Sequence, residues 1–206
     1  MSRSSLGCIM KLLISLQRHE IELLQWLREQ LHGVTFSLAK IISRSANGLP
    51  YILLTLVIAW LNPMVNGDWM LAVATAFMIE RYLYFICKNN FRRNRPPAVI
   101  AGFTSLVIPS DQFSLPSGHT SGAFLYATLL FPIFPAIAPL FFFWASLVGA
   151  SRVILGVHFP TDTAIGALLG TSVAVLINSI PANMTLSSAT MNPLPLGPHA
   201  DKKHPA

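Results

Sequence analysis

The sequence predicts an all-α protein: a polytopic membrane helix bundle of five to six transmembrane helices plus an N-terminal amphipathic helix. Three observations lead there. The 206 residues are 53% apolar and only 11% charged, whereas a soluble domain is about a quarter charged. Mean hydropathy is +0.57. The apolar residues also fall into runs of about 20, the length that crosses a bilayer, separated by polar segments. The net charge is +6. In a membrane chain such an excess points away from nucleic acid and towards lipid headgroups or an anionic substrate.

Residues 6–31 recur apolar at helical spacing, with Leu12, Leu13, Leu16, Leu23, Leu24, Leu27 and Leu31 in one stripe. Arg18, His19, Glu20, Glu22, Arg28 and Glu29 interrupt it. Each would cost about 2.5–3.5 kcal/mol at bilayer depth, so an in-plane helix fits better than a span. His19 and His32 read as surface groups. No cleavable signal peptide is expected, because no clean apolar core precedes a small-residue cleavage site. The spans follow at roughly 49–65 and 69–87, then two within 120–157, then 163–181. The stretch 120–157 holds 38 residues with no acidic group and one basic group, Arg152, which is two crossings. Pro132, Pro135 and Pro139 mark the turn between them. Cys87 reads as a buried thiol. The expected division is an N-terminal amphipathic helix and polar approach over 1–48, a membrane core over 49–181 and a disordered tail over 182–206. Nothing in the chain speaks to oligomeric state.

This arrangement sends three polar segments to one membrane face. The first is Lys88-Asn-Asn-Phe-Arg-Arg-Asn-Arg95-Pro96. On its own it reads as membrane anchoring. The second is Pro116-Ser117-Gly118-His119, a helix start whose free N–H groups suit phosphate. The third is Ser151-Arg152, then His158 and Asp162. Pro160 argues against one continuous helix there, and a reversal can return the carboxylate to an imidazole nitrogen, fixing its tautomer.

Anchoring explains the cations but not two histidines and a histidine–carboxylate pair. Zinc would use the histidines and Asp162 but not three cations aimed at one place. Together the groups suit phosphoryl transfer: cations hold the non-bridging oxygens, one histidine attacks phosphorus and the other protonates the leaving oxygen. Arg81 lies two turns before Lys88 on nearly the same helical face. It needs a partner, either on another span or as a wall of the phosphate cavity, since Glu80 is expected to point elsewhere.

The three segments resemble the signature motifs of the type 2 phosphatidic acid phosphatase superfamily, in its integral-membrane lipid phosphatase branch: KxxxxxxRP, PSGH and SRxxxxxHxxxD. The resemblance covers about residues 50–181. It implies that His158 is the nucleophile, Asp162 its orienting carboxylate and His119 the general acid and then base. Lys88, Arg95, Arg152, Ser117 and Gly118 would bind phosphate. No metal and no cofactor are implied. The substrate would be a phosphomonoester or pyrophosphate on a lipid, such as phosphatidate, phosphatidylglycerophosphate or undecaprenyl pyrophosphate. A lipid phosphotransferase would use the same phosphohistidine. A non-catalytic transporter or scramblase would explain the basic loops but not the His158–Asp162 spacing. The resemblance implies a site facing the outside of the cell from the inner membrane, whereas Lys40, Arg44, Arg92 and Arg93 on that face would make it cytoplasmic by the positive-inside rule.

Overall fold

The computed structural model describes residues 3–62, 65 and 67–180; the expected tail over 182–206 lies outside them. Every regular element among the described residues is helical, in the order α1 (Arg3–Gln30), α2 (Val34–Ser45), α3 (Gly48–Leu61), α4 (Gly67–Phe91), α5 (Pro96–Val99), α6 (Gly118–Leu130), α7 (Ala138–Ile154) and α8 (Pro160–Asn178), with a 3₁₀ turn at Pro135–Ile137.

α6 is the central helix. From Thr120 to Leu130 all but Phe124 is buried, enclosed mainly by α7 and α8. Small residues make this possible. Ideal Cβ atoms on Gly166 and Gly170 of α8 would lie 2.6 Å from the Ser117 carbonyl oxygen and 2.0 Å from that of Ser121. The two backbones therefore touch, as small-xxx-small pairs allow in membranes. Outside this core, Leu53, Trp60, Met78, Tyr82, Phe85, Leu140, Phe143, Leu168 and Leu176 are exposed. Apolar surface on that scale needs a partner, and in an integral membrane protein that partner is lipid.

Among the described residues, three stretches are long and apolar enough to cross a membrane by length and composition: Gly67–Val99, Pro135–Ile154 and Pro160–Asn178. A fourth is available if α2 and α3, bent by 57° to one another, count as one span. The five expected crossings thus include two short helices, the 14-residue α3 and the 13-residue α6. α6 is wrapped by its neighbours instead of facing lipid, so it has no need to match the bilayer. Residues 120–157 do divide in two, as expected, with Pro135 and Pro139 in the first turns of the helical segments after the break.

Two further expectations change. Only part of the α1 leucine stripe packs on the protein: Leu24 is buried with Leu27 packed beside it, Leu16 and Leu23 are exposed, and the charged Glu20 is buried. The reason is a partner for Glu20, described below. Cys87 is only half-buried.

Candidate active site

The polar residues converge at one end of the bundle because each sits where a helix ends or begins there. Lys88 lies in the last turn of α4 and Arg152 in the last turn of α7. His119 opens α6, and Ser117 is its N-cap. His158 lies in the α7–α8 turn. Pro160 then starts α8, and Asp162, three residues past the N-cap Phe159, folds back so that its Oδ2 accepts the Phe159 N–H at 2.8 Å. The reversal expected at Pro160 is therefore a helix start.

His158 is 2% exposed. Its Nδ1 lies 3.7 Å from Asp162 Oδ2, an ion-pair separation too long for a hydrogen bond. Nδ1 is buried without a hydrogen-bond partner, as is Nε of Arg152. On the other side of the ring, His158 Nε2 lies 3.4 Å from Arg95 Nη1. Burial, with Arg95 and Arg152 nearby, pushes the imidazole down to about 4 against the opposing pull of Asp162. The ring is neutral at ordinary pH, as a nucleophile requires.

His119 is held from outside its motif. Its Nε2 lies 3.0 Å from Asn47 Oδ1; an amide oxygen only accepts, so this nitrogen carries the proton. Asn47 reaches it because the chain bends between α2 and α3. The same segment supplies Ser43, whose Oγ accepts from Arg152 Nη1 at 2.6 Å. Trp144 Nε1 donates to Ser45 Oγ at 2.9 Å and pins α2 to α7.

A cavity of about 220 Å³ is lined by Arg81, Tyr84, Arg95, Asp111, Gly118, His119, Arg152 and His158, with Ala46, Gly48, Tyr51 and Phe77 among its other walls. Lys88 meets it through Asp111, at 2.7 Å. Ser117 stands behind the wall: its hydroxyl lies 2.9 Å from Thr120 Oγ1 and its N–H donates to the Asp162 carbonyl at 2.9 Å. It couples α6 to α8, while the adjacent Gly118 faces the cavity.

Three carboxylates that sequence reasoning missed complete the site. Asp111 accepts from Arg95 Nη2 at 2.5 Å and from Tyr84 Oη at 2.5 Å, besides the Lys88 contact. Burial alone would raise this carboxyl, but the hydrogen bonds from Lys88, Tyr84 and Arg95 prevail and hold it at about 2. Glu80 does not point elsewhere. It is fully buried and accepts from Arg81 Nε at 2.6 Å and Nη2 at 2.7 Å. A buried charge requires a counter-ion, and the arginine side chain is long enough to wrap back to its neighbour. Arg81 itself lines the cavity, against the Tyr84 ring at 4.3 Å. The third is Glu20 of α1. Arg93 donates to Glu20 Oε2 at 2.5 Å, to Asp162 Oδ1 at 2.7 Å and to Thr161 Oγ1 at 2.5 Å. Glu20 Oε1 also accepts the Thr161 N–H at 2.8 Å. A polar residue inside the leucine stripe was the one available signal for Glu20; no periodicity could identify Asp111, which lies in a loop.

Among the described residues, no group of three or more His, Cys, Asp or Glu side chains is placed to hold a metal ion.

The chain is similar to several known proteins. The chain is 31% identical over 137 residues to decaprenylphosphoryl-5-phosphoribose phosphatase of Mycobacterium tuberculosis, covering 63% of this chain and 71% of that protein. It is 31% identical over 128 residues to the bacitracin transport permease protein BcrC of Bacillus licheniformis, covering 62% and 63%. Among solved structures it resembles the transmembrane PAP2-type phosphatidylglycerolphosphate phosphatase of Bacillus subtilis, with a TM-score of 0.66 at 25% identity over 80% of this chain and 85% of that one. LpxE of Aquifex aeolicus gives 0.63 at 25% identity over 77% and 94%. The PAP2 superfamily profile matches residues 69–185, more than half of the chain, and with motifs, fold and relatives in agreement the chain belongs to the PAP2 superfamily as one of its membrane phosphatases.

Proposed function

We propose that this enzyme hydrolyses a phosphomonoester or pyrophosphate on a lipid, such as phosphatidate, phosphatidylglycerophosphate or undecaprenyl pyrophosphate, through a phosphohistidine on His158. One observation carries the lipid assignment. The cationic cavity shares Gly48, Tyr51 and Phe77 with an apolar groove of about 350 Å³ between α3 and α4, lined further by Ile52, Leu56, Met70, Val73 and Ala74. A phosphate in the first can continue into an acyl or prenyl chain in the second.

In this reading, Lys88, Arg95, Arg152 and the Gly118 backbone bind the phosphate oxygens. Ser117 acts by holding Gly118 and Asp162 in register. The His158 Nε2 lone pair attacks phosphorus and the bond to the lipid oxygen breaks, with His119, as the imidazolium, passing its Nδ1 proton to that oxygen while its Nε2–H stays on Asn47 Oδ1. Asp162 stabilises the imidazolium that forms; about 0.8 Å of approach would turn its 3.7 Å contact into a hydrogen bond. His119 then takes a proton from water, whose oxygen attacks phosphorus. The P–N bond breaks, releasing inorganic phosphate and neutral His158. No metal is required, because the cations supply the charge that a metal would. The core expected over 49–181 carries the reacting groups, and Glu20, Ser43 and Asn47 from the segment before it brace them. By its family resemblance the protein sits in the cell inner membrane with its site on the extracytoplasmic face.

The test is phosphate release by purified protein from the three lipids, with and without EDTA. We expect EDTA-resistant release from at least one lipid, an acid-labile phosphoenzyme on rapid quench, and neither with His158→Ala. Release that persists in His158→Ala overturns the mechanism. Phosphate transfer only to an added acceptor lipid would make the enzyme a phosphotransferase.

A further inference from the structure

The cavity holds more cation than anion, yet two of its buried cations are already engaged. Lys88 is 4% exposed and Arg95 is 7% exposed. All three guanidinium nitrogens of Arg95 are used: Nε donates to the Asp111 carbonyl at 3.0 Å, Nη1 to the Val157 carbonyl at 2.6 Å and Nη2 to Asp111 Oδ1 at 2.5 Å. The same oxygen takes Lys88 Nζ at 2.7 Å. Lys88 also donates to Tyr84 Oη, which donates in turn to Asp111 Oδ2. Two oxygens of one anion thus receive an arginine, a lysine and a tyrosine, the donor set that would otherwise grip two phosphate oxygens. The other acidic groups are committed elsewhere, Glu80 to Arg81 and both Glu20 and Asp162 to Arg93.

We propose that Asp111 is a specificity-determining residue, an internal competitor whose carboxylate occupies the donors of Lys88 and Arg95 and must leave them when a phosphate binds. This rests on the reading of the cavity as a phosphate site. The carboxylate has somewhere to go. Asp111 lies in the loop between two anchors, the Leu106 N–H on the Leu155 carbonyl at 3.0 Å and the Ser114 N–H on the Arg93 carbonyl at 2.8 Å, and its side chain is 31% exposed. Displacing it lowers the affinity for every phosphate by a common factor. A lipid offsets that loss through its chain in the α3–α4 groove; inorganic phosphate and small soluble esters cannot. Asp111 therefore keeps the site open to lipid phosphates and clears it of the phosphate product.

The test compares wild type with Asp111→Asn, using inorganic phosphate as a competitive inhibitor and p-nitrophenyl phosphate as a soluble substrate. We expect the Asp111→Asn inhibition constant for phosphate to fall at least tenfold, with the KM for the soluble ester falling by a similar factor. An unchanged or higher inhibition constant overturns the proposal and makes Asp111 a brace for its two cations. If Asp111→Asn does not fold, Asp111→Ala carries the same test at this loop position. A wild type that releases phosphate from no lipid and is not inhibited by phosphate overturns the phosphate-site reading and this proposal together; an active, phosphate-inhibited wild type isolates the Asp111 claim.

Discussion

Replacing Gly170 with alanine adds one methyl at the point where α8 meets α6. The added Cβ would lie 2.0 Å from the Ser121 carbonyl oxygen and 2.9 Å from the Leu125 nitrogen. Both are backbone atoms of a buried helix, so no side chain can swing aside. An ordinary carbon–oxygen contact is about 3.3 Å, so the two helices must part by roughly 1.3 Å at this level. Such overpacking costs about 3 kcal/mol or more, and 1 kcal/mol moves the melting temperature of a chain this size by about 2–4 °C. Thermal unfolding in detergent should therefore show a fall of roughly 6–12 °C. Gly149→Ala is the control: its Cβ would meet the Thr120 methyl at 3.3 Å, a side-chain contact that can yield, at a cost below about 1 kcal/mol. Gly170→Ala melting within about 2 °C of wild type, or no worse than Gly149→Ala, refutes the backbone-contact argument.

Other perturbations separate the parts of the site. Glu20→Gln keeps the shape but removes the charge that holds Arg93 on Asp162; kcat should fall about tenfold with KM nearly unchanged, and equal losses in both would mean that Glu20 merely stabilises α1. Arg81→Ala should raise KM for a pyrophosphate lipid more than for phosphatidate, because Arg81 lines the cavity; equal losses on both, with a lower melting temperature, would make its pairing with Glu80 purely structural. The His158 imidazole, held down to about 4 by burial, declines a proton that the unfolded chain accepts below about 6.5. Its penalty is absent above that pH and grows as pH falls towards 4, so wild type should lose more melting temperature than His158→Asn between pH 7 and 4.5, and parallel curves would contradict the burial.

The parts of this structure that follow a local rule were legible in the sequence. Apolar runs located the core helices, and Pro160 marked a break before the last of them, which starts at Pro160, three residues before the expected span. The three motifs named His119, His158, Asp162, Lys88, Arg95 and Arg152, and all gather at one end of the bundle. What was not legible depends on tertiary reach. Glu20, Ser43 and Asn47 act across 141, 109 and 72 residues of chain, and hydropathy carries no trace of such pairings. Glu80 was misjudged from helical angle alone, which ignores how far an arginine folds back to meet a buried carboxylate. Ser117 was named for the right segment, but its hydroxyl turns towards Thr120. The lengths of α3 and α6 were overestimated because an apolar run records an environment, and for α6 that environment is protein.

The close seam between α6 and α8 has a consequence for how such an enzyme can change. His119 rides on α6 and Asp162 on α8, and the two helices are locked at Gly166, Gly170 and the Ser117–Asp162 hydrogen bond. The α3–α4 groove meets that block through Tyr51, Thr55 and Phe77, which pack on Tyr126 of α6, whereas its other walls, Ile52, Leu56, Met70 and Ala74, can vary without moving a reacting atom. Inheritance is thereby split: one half of the molecule is frozen by geometry, while the other is free to drift towards longer, shorter or more branched hydrocarbon.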